Sequence, residues 1–139
     1  MYIKVIDFGY EKLPFRAHDN DAGADVHACL KEQSYIWIQP HETIKIPLGL
    51  GLYLPDGYVG YVFPRSGLST KGIVCELPPI DSGYRGEIHA IVTNCGDDPF
   101  KVNNGDRIGQ LVIMPVVITE FVTETGEERG LGAFGSTGI

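Results

Sequence analysis

Apolar positions recur along this chain in short runs with a period of two, and no segment sustains a helical period over three turns. The runs YIWI (35–38), TIKIPLGLGLYL (43–54), YVGYVF (58–63), EIHAIVTN (87–94) and QLVIMPVVITEFV (110–122) are rich in β-branched and aromatic residues, the composition of strands. Turn formers separate them: LPDG at 54–57, CGDDP at 95–99, NNGD at 103–106 and ETGEE at 124–128. Strands this short, turned this often, predict an all-β sandwich or barrel. Pro47 and Pro115 interrupt two of the runs, so breaks or sheet edges are expected there. The one helix expected is a short turn around 66–72, SGLSTKG, with Ser66 placed to cap it. The last stretch, RGLGAFGSTGI (129–139), is too dense in glycine for a core strand and reads as a mobile arm beyond a domain of 1–128.

Composition narrows the function. A chain of 139 residues, 43% hydrophobic and 21% charged, fits one globular domain with an ordinary core. Its net charge of -7 excludes reliance on nonspecific attraction to nucleic acid or to an anionic membrane. It does not exclude a phosphorylated small molecule, which a few local arginines and backbone N–H groups can hold. Cys29, Cys75 and Cys95 form neither a disulfide framework nor a C-x-x-C clip, which fits reduced thiols in a cytoplasmic protein. The N-terminal MYIKVIDFGYEK has no long apolar stretch, so neither a signal peptide nor a membrane span is expected.

Five polar, glycine-containing segments interrupt the strands: DAGADVHA (21–28), PRSGLSTKG (64–72), PPIDSGYRGEI (78–88), NNGDRIGQL (103–111) and RGLGAFGSTG (129–138). Each alone has a structural explanation; DAGAD, for example, reads as a turn in which Asp21 or Asp25 bonds nearby backbone. Together they hold Arg65, Arg85, Arg107 and Arg129, beside small residues that let donors approach an anion closely. Asp25 and Asp81 are candidates to face a hard cation or a water that must lose a proton. Phe134, one aromatic among glycines, suits stacking on a flat ligand. Other signatures fail. GLGLYLPDG is followed by a strand-like run where a dinucleotide fold needs a helix, and no P-loop occurs. DNDAGAD lacks glycine at the sixth and glutamate at the twelfth position of a calcium loop, and His18, His27, His41 and His89 lack metal-ligand spacing. No G-x-S-x-G elbow is present.

In this order, DAGADVHA, PRSGL, IDSGYRGEI, GDRIGQL and RGLGAFGSTG resemble the motifs of the trimeric dUTPase family. The resemblance implies a distorted β-jelly-roll subunit in a homotrimer whose active sites are shared between chains. It implies hydrolysis of dUTP to dUMP and pyrophosphate with Mg2+. Asp81 would orient and deprotonate the attacking water, and Tyr84 would pack on the deoxyribose. Backbone groups of the hairpin around 75–84, Ile80 among them, would read the uracil. Arg65, Ser66, Gly67 and Gln110 would hold phosphate oxygens, and Asp25 would lie near the metal's water shell. In the closing arm, Arg129 would reach the γ-phosphate, Phe134 would cover the uracil, and Gly135, Ser136 and Thr137 would supply donors. This chain departs from the family pattern at three places. Cys75 stands where many bacterial relatives carry asparagine, Pro78 where glycine is usual, and Ala133 where the arm has a glycine. A thiol replaces an amide poorly, so base recognition is expected to rest on the backbone of an unusually rigid hairpin. A dCTP deaminase is the less favoured alternative, because that branch needs a glutamate where this chain has Ile91. A binding module with the same fold and a regulatory role is the other.

Overall fold

The computed structural model describes residues 1–124. Ten strands and one helical turn follow in chain order: β1 (Val5–Asp7), β2 (Ala24–His27), β3 (Tyr35–Ile38), β4 (Thr43–Pro47), β5 (Leu50–Leu52), β6 (Tyr58–Phe63), α1 (Ser66–Ser69), β7 (Ile73–Glu76), β8 (His89–Asn94), β9 (Phe100–Asn103) and β10 (Arg107–Pro115). All pairings are antiparallel. They build four small sheets, ordered β1-β5, β2-β10-β6, β3-β9 and β4-β8-β7. Every sheet contributes to one core: Val26, Ile38, Ile46, Leu50, Val62, Val92, Val102 and Ile108 all lie inside it. Each such fully buried side chain stabilises the fold by about 1.5–3 kcal/mol. The result is all-β, as the short alternating runs predict, and the distorted jelly roll is the form that the family resemblance implies.

Two of the expected strands are matched in full, YIWI as β3 and YVGYVF as β6. The run 43–54 is broken after Pro47, which closes β4 opposite His89. Gly49 makes the break: it has φ +77°, and a Cβ there would lie 2.7 Å from the Cys29 Sγ and 2.9 Å from Tyr10 backbone. The run 110–122 is shorter than expected. β10 ends at Pro115, and residues 116–124 form no strand in this chain, although Val116 still donates its N–H to the Gly57 carbonyl at 2.9 Å. Residues 87–88 lie outside β8. Four strands escaped the pattern, β1, β2, β7 and β9, each three or four residues long. DAGAD is not simply a turn, because Ala24 and Asp25 open β2.

The helix is one turn, and Ser66 does not cap it. The N-cap is Arg65, extended and without a side-chain cap bond. The turn at 103–106 closes through the Asp106 N–H on the Asn103 carbonyl, with Gly105 at φ +87°. The fully buried polar side chain of this core, Asn94, ties down the loop after β8. Its amide donates to the carbonyls of Ile38 and Asp98 at 2.9 and 2.8 Å, and its Oδ1 accepts the Gly96 N–H at 2.9 Å. The turn expected at 124–128 falls, beyond Glu124, outside the described residues, as do Arg129, Ala133, Phe134, Gly135, Ser136 and Thr137. Among the described residues no helix is long and apolar enough to cross a membrane.

Candidate active site

The loop between β7 and β8 carries Asp81, and it is braced at several points. Ile80 makes an isolated antiparallel bridge to Gly60 on β6, with its N–H 2.8 Å from the Gly60 carbonyl and its own carbonyl 3.1 Å from the Gly60 N–H. The Tyr84 N–H then closes a turn on the Asp81 carbonyl at 3.1 Å. The Arg85 guanidinium points back into the loop. It donates to the carbonyls of Ser82, Tyr84 and Leu52 at 2.6, 3.2 and 3.4 Å and lies 4.7 Å over the Tyr53 ring. Of the four arginines grouped by sequence, Arg85 is therefore occupied by its own loop. Glu87 fixes the far end by accepting from the Gly49 N–H at 2.9 Å and pairing with the Lys31 ammonium at 2.9 Å. Held this way, Asp81 is exposed, and its carboxylate has no hydrogen-bond partner among the described residues.

Tyr84 folds back along the loop and donates its hydroxyl to the Glu87 carbonyl at 2.8 Å. Gly86 makes room for it, since a Cβ there would lie 2.5 Å from the Tyr84 hydroxyl oxygen and 2.7 Å from the ring. Gly86→Ala is expected to expel the ring from this seat. The measurement is the near-ultraviolet circular dichroism of the loop tyrosine together with KM for the substrate; both unchanged would show that the ring does not need the space.

A cleft of about 220 Å³ opens beside Asp81. Pro78, Pro79, Ile80 and Tyr84 form one wall, and Lys45, Glu76, His89 and Ile91 on the sheet β4-β8-β7 form the floor. Cys75 is not part of it. Successive strand residues point to opposite faces, so Glu76 faces the cleft while Cys75 packs against the core. Burial, and then the neighbouring Glu76, push the Cys75 thiol up to about 11, so it is an unreactive core-facing group. The Ile80 N–H and carbonyl are both engaged with Gly60 in the single chain, and its side chain lines the cleft next to Asp81. That Lys45, Glu76 and His89 line this cleft is not visible in the sequence, because only the pairing register reveals that they share one face.

A second group assembles on the sheet β2-β10-β6. Asp25, Gln110 and Phe63 are direct cross-strand neighbours in one row. The Gln110 amide donates to the Pro64 carbonyl at 3.3 Å, just before Arg65. Arg107 pairs with the Asp25 carboxylate at 3.4 Å, and Arg65 donates to the Arg107 carbonyl at 3.3 Å. Gly23 lets Gln110 lie beside Asp25, since a Cβ there would come within 2.6 Å of the Gln110 Oε1. Ser66 and Gly67 open α1 in exposed positions next to Arg65. The order of the strands has brought together Arg65, Arg107, Gln110 and Asp25 from three distant segments. Of the histidines, His18 and His41 are exposed while His27 and His89 lie in strands, and among the described residues no cluster of three metal-ligating side chains forms.

The two groups do not meet within one chain. Arg65 lies five residues beyond Gly60, two past the end of β6 in extended backbone, roughly 16 Å at ~3.3 Å per residue. From Ile80 the loop runs the opposite way, as the bond from the Ser82 hydroxyl to Asp56 at 3.1 Å shows. Asp81 and Arg65 therefore face opposite ends of the same strand.

Comparison with known proteins bears on the family and the fold. The family model described as dUTPase matches residues 10–138. The chain is 46% identical over 137 residues to the deoxyuridine 5'-triphosphate nucleotidohydrolase of Desulfitobacterium hafniense (strain DSM 10664 / DCB-2), covering 92% of this chain and 88% of the relative. It is 44% identical over 132 residues to the protein of the same name from Tropheryma whipplei (strain Twist), covering 90% and 88%. Among solved structures, a mutant dUTPase from phage phi11 of S. aureus, described with the coordination of a structural Mg(II) ion, superposes with a TM-score of 0.81 at 25% identity over 92% of this chain and 99% of that one. A mutant Staphylococcus bacteriophage 80alpha dUTPase with dUpNHpp gives 0.80 at 27% identity, covering 99% of both chains. On motif, fold and sequence alike, the chain belongs to the dUTPase family.

Proposed function

We propose that the protein hydrolyses dUTP to dUMP and pyrophosphate, at sites that each draw on more than one chain of a homotrimer. The observation that carries this reading is Asp81, an exposed and unpartnered carboxylate on a braced loop at the mouth of a cleft of base-sized volume. Asp81 accepts a proton from a water as that water's oxygen bonds to the α-phosphorus. The bond from the α-phosphorus to the bridging oxygen breaks, and pyrophosphate leaves with that oxygen. Phosphoryl chemistry of this kind needs mainly positioning and charge stabilisation. Arg65, Ser66, Gly67 and Gln110 supply these on the triphosphate side, and Tyr84 packs against the sugar. The reaction keeps uracil out of DNA and supplies dUMP for dTMP synthesis, as a soluble enzyme of the cytoplasm.

A divalent cation fits the residues present in one mode. No three-ligand cage exists among the described residues, so the ion would be held by substrate phosphates and water, with the Asp25 carboxylate at its periphery. Mg2+ favours that arrangement over an all-protein site. When bound it would neutralise charge developing on the phosphate oxygens. The trimer draws support from the separation of Asp81 and Arg65. It also draws support from an apolar stretch after β10, where Val117, Ile118, Phe121 and Val122 are 80, 78, 92 and 80% exposed in the single chain. Such a stretch is the kind that another subunit covers.

Residues 129–139 complete the site in this reading, with Arg129 toward the γ-phosphate, Phe134 on the uracil and Gly135, Ser136 and Thr137 as donors. Removing them is expected to lower kcat/KM by two or more orders of magnitude on the strength of lost positioning alone, with the oligomer retained by light scattering. Unchanged kinetics would refute the role. Pyrophosphate release measured across dUTP, dTTP, dCTP and UTP tests the whole proposal. Selective release from dUTP supports it, and binding without release would point instead to a nucleotide-binding module.

A further inference from the structure

The Tyr84 hydroxyl is tied to residue 87, and residue 87 is tied to a part of the fold remote from the chemistry. The Glu87 carbonyl accepts the Tyr84 hydroxyl at 2.8 Å and lies 3.1 Å from His89 Nδ1. A carbonyl only accepts, so the second bond requires the Nδ1–H tautomer of His89. The Glu87 carboxylate reaches the other way. Its Oε2 accepts the Gly49 N–H at 2.9 Å, and the Lys31 ammonium donates to Oε1 and Oε2 at 2.9 and 3.1 Å. Gly49 in turn holds the N-terminal segment, its carbonyl accepting from the Phe8 and Tyr10 N–H groups at 2.9 and 3.0 Å.

Two features set this ion pair apart from an ordinary surface pair. The Glu87 side chain is only 15% exposed, so water screens its charge poorly and loss of the partner is felt. Lys31 has φ +63°, the left-handed region that glycine occupies without strain and lysine does not. Its side chain offsets that strain. The stem passes near Gly9, where an added Cβ would lie 3.7 Å from the Lys31 Cε, and the ammonium ends on Glu87.

We propose that Lys31 and Glu87 are positioning residues for sugar selection. Through the Glu87 carbonyl they hold the Tyr84 ring at the depth that shuts out a ribose 2′-hydroxyl. This rests on the proposed packing of Tyr84 against the sugar of dUTP. The ring is fixed at its root by the loop backbone and at its tip by the Glu87 carbonyl, with Gly86 leaving it space between. Steric exclusion of one hydroxyl needs a wall that does not yield, and a small displacement is enough to lose it. Freed at its tip, the ring recedes and gives a 2′-hydroxyl the space that deoxyribose leaves empty. Asp81 is held separately, by Ile80 on Gly60 and by Arg85 on the Ser82 carbonyl, so loosening residue 87 leaves the general base in place.

The experiment is steady-state pyrophosphate release from dUTP and from UTP by the full-length oligomer. The forms compared are wild type, Lys31→Gly, Glu87→Gln, Tyr84→Phe and the Lys31→Gly, Tyr84→Phe double variant. Lys31→Gly removes the ammonium but suits the backbone at this φ, so its melting temperature is expected to stay close to the parent's. Lys31→Gly and Glu87→Gln are each expected to lower the dUTP-to-UTP ratio of kcat/KM by about tenfold. That is the lower end of what a charged hydrogen bond is worth, because the effect is transmitted and not direct. For Lys31→Gly, kcat for dUTP is expected within a few-fold of wild type. Tyr84→Phe should lower the ratio as well, and adding Lys31→Gly to it should lower it little further, since the route through the hydroxyl is already cut. An unchanged ratio in both Lys31→Gly and Glu87→Gln, beside a wild type that prefers dUTP, would overturn the positioning role alone. So would a full further drop in the double variant. A wild type that hydrolyses UTP as readily as dUTP would overturn the packing of Tyr84 on the sugar itself. Lys31 and Glu87 lie in different segments, so a folding failure in one variant leaves the other to decide.

Discussion

Replacing Asp81 with alanine is expected to lower kcat for dUTP by about 10²–10⁴-fold, the usual contribution of a positioned general base. Nucleotide binding, measured by calorimetry with a non-hydrolysable analogue, is expected to stay within a few-fold of wild type. The separation of the two effects follows from the site. Asp81 extends from a loop whose shape is set by Ile80 on Gly60, Arg85 on three carbonyls and Glu87 on Gly49, so truncating its side chain removes no brace. Its carboxylate also contributes no hydrogen bond to the fold among the described residues. The melting temperature should therefore remain close to that of the parent. A rate near wild type would refute the assignment, and a joint loss of binding and melting temperature would show that Asp81 is structural.

Mixing two inactive variants is expected to restore activity. Arg65→Ala should lose phosphate contacts, and Asp81→Ala should lose the base, so each alone is nearly silent. If every site takes Asp81 from one chain and Arg65 from another, chains randomly re-associated from an equal mixture rebuild about one intact site in four. The geometry behind this is the divergence of Asp81 and Arg65 along β6, roughly 16 Å of extended chain plus a loop running the other way. Recovery is read as pyrophosphate release after mild dissociation and re-association. No recovery, with mixed oligomers confirmed by mass, would mean that each chain builds its site alone.

Much of this was legible in the sequence, and the parts that were not share a cause. Alternation marked β3 and β6 because their apolar positions are large and regularly spaced. It missed β2, where Ala24 and Val26 are buried but Asp25 and His27 alternate with them next to glycine, so the segment reads as a turn. It overran β10, because nothing in VVITEFV says that it meets no strand among the described residues. The motifs pointed to Asp81, Tyr84, Arg65 and Gln110 without revealing which would meet. Arg65 and Arg85 look equivalent as letters. Only the fold shows one beside Asp25 and Gln110 and the other folded onto its own loop. Lys45, Ile91 and Glu76 are far apart in the chain, and their place on one cleft floor is a property of strand register alone.

The parity of β7 has a consequence for how this enzyme can change. Cys75 faces inward and Glu76 outward. The segment is pinned at one end by its ladder to β8 and at the other by Ile80 on Gly60, with only Leu77, Pro78 and Pro79 between. Deleting one residue from β7 would exchange the two faces, setting a carboxylate in the core and a thiol at the cleft floor. Two consecutive prolines leave little slack to absorb the shift. This stretch can accept new letters, but its length is frozen, and diversification of the pocket must proceed by replacement at 45, 76 and 91.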